Sequence, residues 1–103
     1  MAGHLRGLGY EILDRNVRVG PLELDVIARR GNLLVICEVR TLRGTAPYSP
    51  VETITPTKVS RVRRAAARWL SKNRPGTDEL RFDAAAVTIG PDGPTIDYYE
   101  DAF

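Results

Sequence analysis

Several short segments of the chain alternate between apolar and polar residues, or are apolar throughout, as β-strands do. The pattern predicts strands at residues 10–19, 22–28, 33–40, 80–89 and 95–99. In the 22–28 segment the even-numbered positions are all apolar and share one face, while Glu23 and Asp25 lie on the other face with Ile27. The 33–40 segment is apolar almost throughout, which is typical of a strand buried on both faces.

Two helices accompany these strands. The first covers residues 2–8 and is closed by Gly9, and the second runs from Pro56 to about Lys72 with Thr55 as its N-cap. Turns are predicted at residues 19–21, 30–32 and 91–94, and a longer loop at 42–51. Apolar residues of the second helix fall within one arc of about 100°: Val59, Val62, Ala66, Trp69 and Leu70. The order α-β-β-β-α-β-β predicts an α/β domain with a mixed central sheet of about five strands, flanked by helices.

Length and composition limit what such a domain can be. The 103 residues make one domain, and no apolar run approaches the roughly 20 residues of a membrane helix. The first ten residues have no apolar stretch of the kind that a secretory signal needs, so we expect a cytoplasmic protein with no membrane partner. One cysteine and one histidine exclude an internal disulfide, a cysteine-cluster zinc site and a histidine-rich metal site. Any bound metal must therefore be held mainly by carboxylates.

Positive charge is concentrated on the second predicted helix. Residues 57–74 carry seven of the fifteen basic residues and no acidic one. The rest of the chain contains the other eight basic residues and all thirteen acidic ones, so its net charge is −5. Five of the seven form a basic stripe, an arc of about 120° that borders the apolar one: Lys58, Arg61, Arg64, Arg68 and Lys72. A basic stripe on an otherwise acidic body suggests a surface for a polyanion such as nucleic acid. A solvated helix face would carry the same charges.

The candidate chemistry lies on the second and third strands. If residues 31–32, a Gly-Asn pair, form a two-residue hairpin loop, Asp25 lies opposite Glu38 with the Cβ atoms about 5 Å apart. Glu23 then lies opposite Arg40, and the period of two puts all four side chains on the same face.

Two opposed carboxylates repel each other by about 3 kcal/mol at an effective dielectric constant of about 20, so something must offset the repulsion. Either one carboxylate is protonated, or Arg40 neutralises the pair, or a divalent cation bridges it. Mg²⁺ suits the last option, because it binds one or two carboxylates together with phosphate oxygens and water. A structural salt-bridge cluster of Glu23, Asp25, Glu38 and Arg40, a metal site and a different strand register all remain open.

Several short motifs along the chain are characteristic in combination: Gly-Tyr-Glu-Ile-Leu at 9–13, Arg-Asn at 15–16, Glu-Leu-Asp-Val-Ile-Ala at 23–28 and Glu-Val-Arg-Thr at 38–41, with Lys58, 65–70, 81–83 and 102–103. Through these motifs the chain resembles the YraN-like family of bacterial proteins over nearly its whole length. That family is similar to archaeal Holliday-junction resolvases and belongs to the restriction-endonuclease-like superfamily. The resemblance therefore implies a single restriction-endonuclease-like domain over residues 1–103.

The motif of that superfamily is an acidic residue on one strand and Glu-x-Lys on the next. By position, the resemblance implies that Asp25 and Glu38 are ligands of Mg²⁺ or Mn²⁺ and that Arg40 takes the place of the lysine. Glu23, which the strand register puts on the same face, is expected to support the site. Lys58 would be a basic residue on the helix beside them. An arginine stays protonated, so it can clamp a phosphate but cannot act as a base. Related nucleases also use a further Glu on the first helix, upstream of where this chain begins.

Three functions from different classes fit the sequence. The first is a metal-dependent endonuclease that acts on DNA, branched or structured DNA included, with Asp25, Glu38 and Arg40 as catalytic residues and the basic stripe holding the backbone. A homodimer would suit a junction substrate. The second is a nuclease-fold module that binds nucleic acid without turnover. The third is a protein-interaction domain whose basic helix meets an acidic partner.

Overall fold

The computed structural model describes residues 1–43 and 55–103. Its elements follow the predicted order: α1 (Ala2–Gly7), β1 (Glu11–Val19), β2 (Leu22–Arg30), β3 (Leu33–Arg43), α2 (Pro56–Asn73), β4 (Glu79–Gly90) and β5 (Gly93–Tyr99). Within these residues, no helix is both long and apolar enough to cross a membrane.

The strands form a mixed sheet in the order β1-β2-β3-β4-β5. Neighbouring strands are antiparallel except for β3 and β4, which are parallel. A parallel pair needs a crossover connection, and α2, which lies between β3 and β4 in the chain, provides it. The α/β prediction is confirmed, and the arrangement is consistent with a restriction-endonuclease-like fold.

Apolar side chains cover both faces of the sheet. One cluster lies on the α2 side: Leu24, Ile27, Leu34, Ile36, Val62, Ala65, Ala66, Trp69 and Phe82. The other lies on the α1 side: Leu5, Tyr10, Val26, Ala28, Val35, Cys37 and Ala85. Since β3 contributes to both clusters, it is buried on both faces, as its apolar composition predicted.

The hairpin between β2 and β3 has the predicted register. Its pairs run from Arg30↔Leu33 to Val26↔Cys37, which leaves a two-residue loop. Gly31 adopts a φ of 59° in this loop, a conformation that glycine takes without steric strain. Loop length thus sets the register of the hairpin, as the Gly-Asn pair indicated.

The predicted start of α2 is also confirmed. Pro56 is the first helical residue, and the Thr55 hydroxyl oxygen accepts the Lys58 N–H at 3.2 Å. The buried side of the helix consists of Val62, Ala65, Ala66 and Trp69. Val59 and Leu70, at the edges of the predicted apolar arc, are half-buried. The stripe and the apolar arc are therefore adjacent sides of one amphipathic helix.

The predicted alternation in β2 is wrong. Leu24 packs on the α2 side with Ile27, whereas Val26 and Ala28 pack on the α1 side. The even-numbered residues of β2 therefore do not share one face. The period-two pattern is interrupted around Asp25, which lies between the two sets.

The third strand is longer than predicted. It continues to Arg43 because its parallel pairing with β4 extends to Arg43↔Ile89. The first two residues of the predicted 42–51 loop therefore belong to β3. The rest of the predicted loop, from residue 44 onward, lies outside the described residues.

A buried carboxylate joins β4, β5 and the segment that follows β5. Asp83 is fully buried and accepts two N–H groups of Arg81 at 2.8 Å, the Tyr98 hydroxyl at 2.5 Å and the Asp101 N–H at 2.9 Å. Arg81 also donates to the Tyr10 hydroxyl oxygen at 2.9 Å. Burying a charge is tolerated when it is paired and hydrogen-bonded, and here both conditions hold.

Candidate active site

Asp25 and Glu38 meet where the ladder between β2 and β3 stops. The last backbone pair of the ladder is Val26↔Cys37, and at the next position Asp25 Oδ2 accepts the Val39 N–H at 2.8 Å. A side-chain oxygen thus occupies the place of a backbone carbonyl, which explains the interrupted alternation of β2. The Asp25 carboxyl also lies within hydrogen-bonding reach of the Glu38 carboxyl. The two acids are therefore in contact without being a regular cross-strand pair.

Burial raises the pKa of Glu38 to about 7. Asp25 acts in the same direction through its hydrogen bond and its charge, whereas Lys58 and Arg40 act in the opposite direction. Both causes of the raised pKa disfavour a second negative charge at this place. Below about pH 7, Glu38 therefore tends to keep its proton, and a divalent cation would compete with that proton.

The other two residues predicted at this site lie at its rim. Arg40 is exposed, but close enough to lower the pKa of Glu38. Glu23 is exposed, and its partner in the β1–β2 ladder is Arg18. Among the residues whose side chains are described, 1–41 and 55–103, no ion pair includes Glu23, Asp25, Glu38 or Arg40. The salt-bridge cluster that the sequence left open is thus not formed in this part of the chain.

The carboxylate pair has the donor chemistry of a site for a hard divalent cation. Mg²⁺ takes oxygen ligands, commonly one or two carboxylates with water and phosphate oxygens, and Mn²⁺ accepts the same donors. The described residues contain no group of three or more Asp, Glu, His or Cys side chains placed to hold a metal. Asp25 and Glu38 are the two carboxylates that would hold such an ion.

A cavity of about 240 Å³ adjoins Glu38 on the α2 side of the sheet. Its polar lining includes Glu23, Glu38, Lys58 and Arg61. Lys58 is half-buried there, because the first turn of α2 begins beside the sheet. The first two cations of the basic stripe are thus next to Glu38.

The rest of the basic stripe is exposed along α2. Its members are three or four residues apart, where like charges on a helix destabilise it by about 0.2–0.5 kcal/mol a pair. In the described part of the chain none of the five forms an ion pair. Arg63 differs, because it stacks 4.7 Å from the Phe82 ring centroid and donates to the Phe103 carbonyl oxygen at 2.9 Å. Within the described part of the chain, the stripe therefore has no ionic partner, whereas Arg63 is used within the fold.

A second cavity, of about 410 Å³, opens beside Asp25 on the α1 side. Arg6, Arg15 and Asn16 line it. Residue spacing does not indicate this arrangement, since Arg6 lies on α1 and lines the same cavity as Asp25 only through packing. The one available signal was the Arg-Asn pair at 15–16, which is among the segments that carry the family resemblance.

Comparison with known proteins gives consistent matches. A model of the uncharacterised protein family UPF0102 matches residues 1–87. A UPF0102 protein of Acidothermus cellulolyticus is 43% identical over 113 residues, which cover 99% of this chain and 86% of that protein. One of Sorangium cellulosum is 45% identical over 109 residues, covering 100% and 74%. One of Geobacter sulfurreducens is 41% identical over 104 residues, covering 99% and 80%.

The family match covers the carboxylate pair, the basic stripe and most of the sheet. The identities are well above 30% and extend over nearly all of this chain. The chain therefore belongs to the UPF0102 family, the YraN-like family whose motifs it carries.

Proposed function

We propose that this protein is a metal-dependent endonuclease that hydrolyses phosphodiester bonds in DNA, including branched or structured DNA. The observation that carries the proposal is the proximity of Asp25 to Glu38, which itself lies beside the cationic start of α2. Two carboxylates held together in a partly buried place are the donors that a phosphate-bound Mg²⁺ or Mn²⁺ requires. The preference for DNA, the cytoplasmic location and a homodimeric form rest on the sequence expectations alone.

Each residue then has a distinct role. Asp25 and Glu38 hold the cation, which when bound polarises the phosphate and lowers the pKa of an attacking water. Asp25 is fixed in place by the Val39 N–H. Arg40 and Lys58, both close enough to influence Glu38, stabilise negative charge on the phosphate. Arg40 remains protonated, so it does not take a proton from the water.

Cleavage of junction, flap and duplex DNA with Mg²⁺ or Mn²⁺ tests this proposal. Asp25→Asn and Glu38→Gln keep the side-chain size and should each lower the rate by at least about 100-fold, since even outer partners of a metal site are worth 10- to 100-fold. Asp92→Asn, in the exposed β4–β5 turn, is the control and should cleave like wild type. Cleavage of equal rate by all four proteins would exclude this site.

A nuclease-fold binding module without turnover is the second candidate. The residue that favours it is Arg40, which stands where the related nucleases have a lysine that can lose its proton. Titration calorimetry separates the two functions, because the module would show no Mg²⁺ or Mn²⁺ binding that depends on Asp25. Appearance of cleavage in Arg40→Lys, from an inactive wild type, would identify a weakened enzyme.

A further inference from the structure

The basic stripe faces the turn between β1 and β2 and does not point only into solvent. Two adjoining cavities, of about 340 and 370 Å³, lie between this turn and α2. Together they form a groove, called here the hairpin groove, with α2 as one wall and the end of the β1–β2 hairpin as the other. Its polar and turn residues include Arg18, Pro21, Arg61, Arg64, Arg68 and Lys72.

The two walls of the hairpin groove approach each other closely at Gly20. A Cβ atom at this position would lie 3.1 Å from Arg68 Nη1, and Gly20 has a φ of +60°. The absence of a side chain at the turn thus leaves room for the Arg68 guanidinium at the junction of the two cavities. Arg18 belongs to the hairpin wall, so cations line both walls of the groove.

The charge of the hairpin groove is strongly positive. Among the residues that line its two cavities, Asp14 is the acid, and one of its oxygens accepts the Trp69 indole N–H at 3.4 Å. Glu23 is the cross-strand partner of Arg18, but in the described residues no ion pair joins them. An extended anion would therefore relieve mutual repulsion among the cations.

The hairpin groove is continuous with the cavity beside Glu38. Leu22, Arg61 and Ala65 line both that cavity and the nearer part of the groove, and Val19 and Arg68 join the nearer part to the farther part. From Lys58 to Lys72 the helix rises about 21 Å at 1.5 Å per residue. The path thus begins at Glu38, one member of the carboxylate pair, and follows the length of α2.

We infer that the hairpin groove holds the sugar–phosphate backbone of a polynucleotide on its way from the carboxylate pair, with Arg18 as a phosphate contact on the hairpin wall. The inference rests on the proposed function for the choice of a nucleic acid over an acidic protein segment. It adds the β1–β2 hairpin to the binding surface, which the basic stripe alone would confine to one helix. It also assigns a binding role to Arg18.

This assignment is tested by measuring how DNA binding depends on salt concentration. The measurement is made in EDTA, so it does not depend on whether the protein cleaves DNA. The probe is a fluorescent DNA duplex, measured by anisotropy between 50 and 300 mM salt. Each phosphate contact contributes about 0.9 to the slope of log K against log salt, so Arg18→Gln should reduce the slope by about one. The corresponding loss of affinity is about fivefold to tenfold at 0.1 M salt. Arg18→Lys should restore most of the affinity.

Arg74→Gln is the matched control, because Arg74 is exposed at the end of α2 and lines neither cavity of the groove. It removes the same charge from the chain and should leave the slope unchanged. Urea unfolding of each variant checks that the fold is retained. A wild-type slope for Arg18→Gln, or the same loss for both variants, would overturn the assignment. Displacement of the DNA by polyglutamate of equal charge at equal concentration would assign the groove to an acidic protein.

The binding role of the hairpin groove and the proposed nuclease activity can be refuted independently of each other. A wild-type protein that never cleaves DNA, yet shows the Arg18 effect on binding, would retain the groove and lose the nuclease. Cleavage that depends on Asp25 and Glu38, with binding indifferent to Arg18, would retain the nuclease and refute the groove.

Discussion

The raised pKa of Glu38 predicts that removing its charge makes the protein more stable at neutral and alkaline pH. In Glu38→Gln the side chain keeps its size but has no charge to bury beside Asp25. The pKa of Glu38 is about 7 in the folded protein and 4.5 for an unperturbed glutamate. At 1.36 kcal/mol per pKa unit, this difference corresponds to about 3 kcal/mol.

The sign follows from proton binding. Between pH 4.5 and 7 the folded protein keeps a proton on Glu38 that the unfolded chain has lost. The free energy of unfolding of the wild type therefore falls as the pH rises through this window, and the loss is complete above about pH 7. Glu38→Gln lacks this loss, so its stability relative to wild type should rise by about 3 kcal/mol between pH 4 and pH 8.

Urea unfolding of both proteins at a series of pH values measures the difference. In thermal unfolding, 3 kcal/mol corresponds to more than about 10 °C in Tm for a domain of this size. Glu79→Gln, at an exposed position at the start of β4, is the control and should differ from wild type by no more than about 0.5 kcal/mol. A difference between Glu38→Gln and wild type that does not change with pH would refute the reasoning.

The same proteins test the proposed cation. An ion that binds the ionised pair in the folded state stabilises the wild type by RT ln(1 + [L]/Kd). At pH 8, Mg²⁺ should therefore raise the Tm of wild type more than that of Glu38→Gln. Equal shifts in the two proteins would show that Mg²⁺ acts elsewhere.

Two further predictions concern the buried groups of the sheet. Asp83→Asn removes the charge of one member of the buried, hydrogen-bonded ion pair with Arg81 and should lower the free energy of unfolding by about 3 kcal/mol, measured in urea. The exposed Asp92→Asn is the control and should lower it by about 0.5 kcal/mol or less. Equal effects of the two substitutions would show that the ion pair does not contribute to stability. Burial raises the pKa of the Cys37 thiol to about 12, so a thiol reagent at pH 8 should modify native protein far more slowly than urea-unfolded protein. Rapid modification of the native protein would contradict the burial of this strand.

Local signals in the sequence explain the elements that were predicted correctly. The hairpin register followed from a two-residue Gly-Asn loop, and the start of α2 followed from Thr55 and Pro56, because both features depend on residues within a few positions of each other. The basic stripe lies beside the buried side of α2 because helical periodicity fixes both arcs.

Features that depend on packing between distant segments were not predictable in the same way. Regular alternation placed Leu24 and Val26 on one face, but the capture of the Val39 N–H by Asp25 interrupts it. Arg18 lines the same groove as the basic stripe only because α2 packs on the sheet next to the β1–β2 turn. Neither event has a signature in residue spacing.

The sequence by itself determined the order of helices and strands, the hairpin register and the side of α2 that carries charge, since each depends on conformational preferences of neighbouring residues. Tertiary structure decided which carboxyl groups lie close together, which cations line one groove and which charged groups are paired within the fold. Those properties depend on distances and solvent exclusion between residues far apart in the chain, and only the packed sheet and helices set them.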